Sequence, residues 1–249
     1  MSKELREWIE SDVAQFRDKP VSWLSSHNFF RDPVRPVYSD ISYFLAPADG
    51  VILYQDEVGP DESLVDIKGR PYSLREALRD PCYDSRSIVV GIFMTFFDVH
   101  VNRISYPGRL SYWLLDAVDT TNRPMLGVEK SIIDDLRISL DEADYLHQNQ
   151  RVVNRIDSLQ LGQSYFILQV ADYDVDSITP FGLRQNWPVA QGRRFSQIRY
   201  GSQVDLIVPL SPLWEFLPTQ PVHCHVEAGI DTVIEIKERK RRKGAVPSR

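Results

Sequence analysis

The stretch Ser87-Ile88-Val89-Val90-Gly91-Ile92-Phe93 consists almost entirely of β-branched, apolar and aromatic residues. This composition is typical of a β-strand. Similar stretches recur along the chain, separated by Gly, Pro, Asp and Asn residues that favour turns. They cover residues 43–45, 50–55, 109–115, 151–158, 164–171, 203–209 and 232–237. The sequence therefore predicts a mainly β (α+β) protein with a single compact β-rich domain.

The N-terminal region has a different pattern. Its apolar residues recur at helical spacing, which predicts an amphipathic helix over residues 3–18. They are Leu5, Trp8, Ile9, Val13 and Phe16. A link containing several prolines follows over residues 20–36. We therefore expect a helical extension with its link (1–40), a β-rich body (41–236) and a basic tail (237–249).

Two further segments have local signals of their own. Ser73 and Glu76 have the spacing of a capping box, which predicts a short helix over residues 73–78. Residues 134–146 mix acidic residues with Leu and Ile and fit either a helix or a loop.

Charge is uneven along the 249 residues. The net charge is −6, but the tail holds seven basic residues and one Glu, so the rest of the chain carries −12. An acidic body with a basic tail suggests contact with an anionic partner such as lipid or nucleic acid, although a solvated terminus fits equally well.

Several classes of protein do not fit the composition. Two cysteines, Cys82 and Cys224, cannot form a disulfide framework. The charged N-terminus lacks the apolar core of a signal peptide, and no apolar run is long enough for a membrane span. The expected location is cytoplasmic, with peripheral membrane contact if the substrate is a lipid.

Four short segments contain residues suited to chemistry or to tight turns. They are Ala46-Pro47-Ala48-Asp49-Gly50, Asp66-Ile67-Lys68-Gly69-Arg70-Pro71-Tyr72-Ser73-Leu74, Phe97-Asp98-Val99-His100-Val101-Asn102-Arg103 and Gly201-Ser202-Gln203-Val204-Asp205. Taken alone, each has an ordinary structural interpretation. Asp49 forms a turn, His100 is a hydrogen-bonded core residue, and Gly201-Ser202 is a turn before a strand.

In this order, the four segments resemble motifs of the phosphatidylserine decarboxylase family. The stretch from Gly162 to Ala171 resembles a further motif, so the likeness covers residues 45–236. It implies a proenzyme that cleaves itself between Gly201 and Ser202, the hydroxyl of Ser202 attacking the Gly201 carbonyl. The remnant of Ser202 is a pyruvoyl group, the cofactor with which the enzyme decarboxylates the head group of phosphatidylserine to give phosphatidylethanolamine.

The resemblance also suggests residues that assist the cleavage. A Ser hydroxyl needs a positioned base, and His100 is the candidate because imidazole titrates near neutral pH. Asp49 would orient His100, as the acid does in Ser-His-Asp triads. The expected catalytic residues are therefore Asp49, His100 and Ser202.

Three positions depart from the family pattern. Arg103 stands where larger members often carry a second His, and Asp172 and Ser196 stand where members often have Gly. The departure at Arg103 bears on the role of the base, whereas those at Asp172 and Ser196 bear more on the substrate than on the cleavage. His223-Cys224-His225 has no second cluster of ligands with the spacing of a zinc site, so we expect core packing and no metal.

Two alternatives stay open. The substrate could be a soluble amino acid or a serine-bearing metabolite, or the chain could be an uncleaved binding module of the same fold. The expected partner is a phospholipid substrate at a membrane surface. A homo-oligomer is compatible with the sequence, and no nucleic-acid partner is expected.

Overall fold

A computed structural model describes residues 2–239, and their fold is mainly β, as the sequence predicts. The strands are β1 (Lys3–Glu4), β2 (Tyr43–Leu45), β3 (Gly50–Val58), β4 (Val65–Ile67), β5 (Arg70–Tyr72), β6 (Ser87–Met94), β7 (Val101–Arg103), β8 (Gly108–Leu115), β9 (Arg151–Ser158), β10 (Gln163–Ala171), β11 (Ile178–Pro180), β12 (Trp187–Val189), β13 (Arg194–Ile198), β14 (Ser202–Pro209), β15 (Trp214–Pro218), β16 (Cys224–Val226) and β17 (Thr232–Glu238).

The helices are short. They are α1 (Leu5–Ser11), α2 (Val21–His27), α3 (Leu74–Leu78), α4 (Leu126–Ile133) and α5 (Tyr145–Gln148), with 3₁₀ turns at Val13–Gln15 and Val118–Thr120. Within residues 2–239, no helix is both long and apolar enough to span a membrane.

One large antiparallel sheet organises the molecule. Its nine strands lie in the order β1-β16-β3-β6-β14-β10-β9-β8-β12. Strands β11-β13-β7 and β15-β17-β2 form two three-stranded sheets, and β4 and β5 form a hairpin. Strand β14 pairs with β6 on one side and β10 on the other, so it lies near the middle of the large sheet.

Apolar clusters cover both faces of the large sheet. In β14, Val204, Leu206 and Val208 belong to one cluster, whereas Ile207 belongs to the other. This alternation follows from the period of two along a strand. Complete burial of such a side chain stabilises the fold by about 1.5–3 kcal/mol, so the middle of the sheet is a firm platform for the residues at its strand ends.

The N-terminal extension differs from the prediction. The predicted helix over residues 3–18 is shorter at both ends. Lys3 and Glu4 pair with His225 and Cys224 as a sheet edge before α1 begins, and after Ser11 the chain continues as the 3₁₀ turn Val13–Gln15. The apolar face is as expected, and Leu5, Trp8 and Ile9 are buried. The predicted link contains helix α2, which begins directly after Pro20.

Two local predictions have clear outcomes. Ser73 caps α3 by accepting a hydrogen bond from the Glu76 backbone N–H at 3.4 Å, which confirms the predicted N-cap. Residues 134–146 are largely irregular, because α4 ends at Ile133 and α5 begins at Tyr145. The division into three segments stays a prediction, and residues 240–249 of the predicted basic tail lie outside the described residues.

Candidate active site

Ser202 is the first residue of β14. It lies opposite Ala171 of β10 and Met94 of β6, and its side chain is fully buried. Its Oγ lies 3.2 Å from the Met94 sulfur, a weak hydrogen-bond acceptor. The predicted nucleophile is therefore held at the end of a central strand of the large sheet, in surroundings from which water is largely excluded.

The backbone before Ser202 has an unusual conformation. Tyr200 has a φ of 65°, in the left-handed region that bulky residues rarely adopt. Such a conformation costs on the order of 1–3 kcal/mol and persists only where the surrounding structure enforces it. The strained residue directly precedes the Gly201–Ser202 peptide, so the predicted cleavage site lies at a forced turn into β14.

His100 is fully buried close to this turn. Its Nδ1 lies 3.1 Å from the backbone oxygen of Asp98, and its ring centroid lies 4.6 Å from that of Phe29. Because a carbonyl only accepts, Nδ1 carries the proton of the neutral ring. Nε2 makes no hydrogen bond within the described part of the chain, although the Tyr200 carbonyl is close enough to favour its protonation.

The environment of His100 favours the neutral imidazole. Burial lowers its pKa to about 4, and the nearby Asp98 carboxylate only partly opposes this effect. At neutral pH the ring therefore has an unprotonated Nε2, which is the state that a general base requires.

Asp49 has a different partner from the predicted one. Its carboxylate forms a buried bidentate ion pair with Arg35, with both N–O distances at 2.7 Å. It also accepts a hydrogen bond from the Ala228 backbone N–H at 2.8 Å. Nδ1 of His100 is held by Asp98 instead. The structure thus places His100 beside the segment that contains Ser202, but it brings Asp49 to Arg35 and not to His100.

Asp98, His100 and Asn102 do not share one strand face. Strand β7 begins only at Val101, and the chain turns at Asp98. Asn102 instead accepts a hydrogen bond from Gln169 at 2.7 Å. Asn102 therefore has a partner of its own, whereas His100 bonds to the Asp98 backbone.

Asp98 forms a second buried pair below His100. Its Oδ1 lies 2.6 Å from His225 Nε2, and its Oδ2 accepts hydrogen bonds from the backbone N–H and hydroxyl of Thr95. Burial opposes ionisation of Asp98, but His225 and Thr95 outweigh it and hold its pKa below the usual value. The ring of Trp8 stacks on His225 at 4.4 Å. Helix α1 is thereby linked through packing to the loop that holds His100.

Two buried carboxyl groups flank Gly201. A side chain on Gly201 would begin 3.2 Å from Asp172 Oδ2 and 3.5 Å from Glu129 Oε2. The other oxygen of each group accepts a backbone hydrogen bond, Oε1 of Glu129 from Phe96 at 2.9 Å and Oδ1 of Asp172 from Met125 at 2.8 Å. One oxygen of each carboxyl group therefore points towards the predicted cleavage site.

Both carboxyl groups ionise with difficulty. Burial raises the pKa of Glu129 to about 8, and the carboxylate of Asp172 adds to this effect. Burial also raises the pKa of Asp172 to about 6. At neutral pH, Glu129 is thus largely protonated and Asp172 largely ionised. Perturbed pairs of this kind are frequent at functional sites.

Arg103 and Ser196, the other two departures from the family pattern, form hydrogen bonds within the fold. Arg103 donates to Asp32 at 2.8 Å and to the Gly192 backbone oxygen at 3.1 Å. Ser196 donates to the Thr179 backbone oxygen at 3.1 Å. Both residues thus contribute to packing around β7 and β13.

The His223-Cys224-His225 segment does not place both imidazoles on one strand face. Strand β16 begins at Cys224, and His223 has a left-handed φ of 69° outside it. Within residues 2–239, no group of three or more His, Cys, Asp or Glu side chains is arranged to hold a metal ion.

Sequence reasoning missed Glu129 as a site residue. It lies on helix α4, a segment with no strong sequence pattern, and its closeness to Gly201 is a tertiary contact between distant parts of the chain. Asp172 had a signal, since it differs from the residue that the family resemblance leads one to expect.

Comparison with known proteins gives a consistent result. Residues 26–230 match the family described as phosphatidylserine decarboxylase. The chain is 32% identical over 183 residues to the phosphatidylserine decarboxylase proenzyme of Erythrobacter litoralis, covering 73% of this chain and 62% of that protein. The corresponding protein of Novosphingobium aromaticivorans is 32% identical over 182 residues, with coverage of 73% and 62%. That of Cupriavidus taiwanensis is 31% identical over 182 residues, with coverage of 73% and 67%. The chain thus spans less than two thirds of the first two relatives.

Proposed function

Because the chain belongs to the phosphatidylserine decarboxylase family, we propose that it cleaves itself between Gly201 and Ser202 and decarboxylates phosphatidylserine to phosphatidylethanolamine. One observation above all supports this proposal. Ser202 begins a buried central strand directly after the forced turn at Tyr200. A nucleophilic Ser at a strained peptide, shielded from water, is what an internal acyl shift requires.

His100 is the proposed base. Its neutral ring has a free Nε2 close to the Tyr200 carbonyl, so it is suited to accept the proton of the Ser202 hydroxyl. Asp98 fixes the tautomer through its backbone oxygen. The proposed orienting role of Asp49 would require its carboxylate to leave Arg35 and turn to His100.

The proposed cofactor is a pyruvoyl group derived from Ser202. Such a group supplies an electron sink for the loss of carbon dioxide from an amino-acid head group. The surroundings of Ser202 fit this requirement, because the Met94 side chain packs against it and His100 Nε2 is a buried nitrogen available to move a proton nearby.

The proposed substrate is a lipid head group presented at a membrane surface. Phe29 packs against His100 and lies 6.3 Å from the Tyr200 ring, and its neighbour Phe30 is exposed, as is Tyr200. Exposed aromatic side chains beside a site suit contact with the interface of a bilayer. A soluble amino acid would not need such a surface.

An activity assay tests the substrate. Wild-type protein is incubated with vesicles of phosphatidylcholine containing phosphatidylserine, and in parallel with free serine. We expect phosphatidylethanolamine to form from the vesicles and no ethanolamine to form from free serine, and we expect the Ser202→Ala variant to be inactive. Decarboxylation of free serine alone would replace the lipid substrate with a soluble one. A wild-type chain that is uncut and inert on both would indicate a binding module.

A further inference from the structure

Two carboxyl groups lie at Gly201 that have no role in the proposed function above. Glu129 and Asp172 come from different elements, α4 and the end of β10, yet both direct an oxygen at the same residue. We propose that Glu129 is a catalytic residue of the self-cleavage, donating a hydrogen bond from Oε2 to the Gly201 oxygens as they become negative, and that Asp172 is the positioning residue that keeps Glu129 protonated. This inference rests on the proposed cleavage site.

The reaction creates negative charge at Gly201 twice. When Ser202 Oγ adds to the Gly201 carbonyl carbon, the carbonyl oxygen becomes an oxyanion. The C–N bond then breaks, the nitrogen of Ser202 takes up a proton, and an ester remains. A base then takes the Ser202 Cα proton, the Cβ–Oγ bond breaks, and Gly201 is released as a carboxylate while residue 202 becomes dehydroalanine. One water molecule then hydrolyses residue 202, its oxygen taking the place of the nitrogen on Cα, which gives the pyruvoyl group and ammonia.

A donor at Gly201 assists both of these charge-forming steps. Oε1 of Glu129 already accepts the Phe96 N–H, so the acidic proton belongs on Oε2, the oxygen that faces Gly201. If Glu129 were ionised as well as Asp172, two carboxylates would face the new charge and Glu129 would have no proton to donate. Loss of one donor to a developing oxyanion typically slows a reaction about 100- to 1,000-fold.

The surroundings keep the proton on Glu129. Burial has the largest effect, and the carboxylates of Asp172, Asp98 and Asp134 oppose its ionisation further. Asp172 lies beyond β10, Asp98 lies in the loop before β7, and Asp134 follows α4 itself. Removal of the Asp172 charge should therefore ease ionisation of Glu129 and shift the pH dependence of cleavage.

The test measures the cleavage rate of the full-length chain against pH. The chain is made by cell-free translation, translation is stopped, and samples at pH 6 to 9 are followed by denaturing electrophoresis. Wild-type cleavage should slow as the pH rises through about 8. Glu129→Ala should slow cleavage about 100-fold. Glu129→Gln keeps a donor without a titrating proton, so it should cleave faster than Glu129→Ala and lose the decline at high pH.

Asp172→Asn should move the decline to lower pH. Asp135→Asn removes one exposed charge beyond the same helix and should behave as wild type. Two results would overturn the inference and leave the proposed function intact, provided that the wild-type chain is cleaved. One is that Glu129→Ala is cleaved as fast as wild type. The other is that Glu129→Gln shows the same pH profile as wild type. A wild-type chain that is never cut would overturn the proposed function itself. Because Gln has nearly the same shape as Glu, we expect the Glu129→Gln variant to fold. Circular dichroism would verify that it does.

Discussion

The Glu129 carboxyl group makes stability depend on pH. Its pKa in the folded protein is about 8, compared with 4.5 normally, so the folded state holds this proton more tightly than the unfolded chain. Its contribution to stability is complete below about pH 4.5 and is lost as the pH rises to 8. Asp172 acts in the same direction up to about pH 6.

Replacement of Glu129 should therefore flatten this dependence. In the uncleaved Ser202→Ala background, the free energy of unfolding should fall from pH 6.5 to 8 by up to about 1.4 kcal/mol per pH unit. Adding Glu129→Gln should remove most of that slope. His100 contributes only near the lower end of this range, because its pKa is about 4 in the fold and 6.5 normally. Urea denaturation at each pH provides the measurement, and parallel curves for the two proteins would contradict the assignment.

The Arg35–Asp49 pair allows a second prediction about single residues. Both side chains are almost completely buried, so Arg35→Met leaves the Asp49 carboxylate without its partner. We expect a loss of about 3–5 kcal/mol in the free energy of unfolding. Arg35→Met combined with Asp49→Leu removes both charges and should be considerably more stable than Arg35→Met alone. A single variant as stable as its parent would mean that the ion pair has no structural role.

At the scale of elements, a stacking contact joins helix α1 to the loop before β7. Trp8 is buried and stacks on His225, which in turn pairs with Asp98 below His100. Trp8→Ala should cost about 3–5 kcal/mol in the uncleaved background, as large-to-small core substitutions do. Glu10→Ala, on the exposed side of the same helix, should change stability by less than about 0.5 kcal/mol. Equal effects of the two changes in urea denaturation would show that α1 does not need this contact.

The same elements show how far sequence reasoning reaches. The strands around β14 were predictable because β-branched composition is a local property, and the Ser73 cap was predictable because its spacing is local too. Strand β1 was not, since Lys3 and Glu4 become a strand only by pairing with β16, more than 200 residues later. The partner of Asp49 was missed for the same reason, because nothing in the local pattern connects Arg35 to that turn.

At the scale of the whole molecule, truncation tests the role of the basic tail. A chain that ends at Arg239 and lacks residues 240–249 keeps every described strand, because β17 ends at Glu238 and Arg239 bonds to Leu213. This truncation removes five basic residues and no acidic ones. It should weaken binding to vesicles that contain phosphatidylserine, most strongly at low salt, because each basic residue contributes on the order of 1 kcal/mol near an anionic surface. Equal co-sedimentation of both proteins at low salt would show that the tail does not bind lipid.

The sheet itself accounts for the location of the proposed reaction. Strand β14 is held on both sides, so Ser202 stays fixed at its first position while the strained chain before it meets His100, Glu129 and Asp172. Cleavage there would relieve the turn at Tyr200 without breaking any strand, because Gly201 lies between β13 and β14. The two products should therefore remain one folded molecule.

The intact mass of the purified chain under denaturing conditions tests the central claim most directly. Wild-type protein should give two polypeptides of 201 and 48 residues, together accounting for the 249 residues of the sequence. The shorter one should begin with a pyruvoyl group in place of Ser202, and Ser202→Ala should give a single uncut chain. A single uncut mass for folded wild-type protein, or a cut at any other peptide bond, would contradict the account.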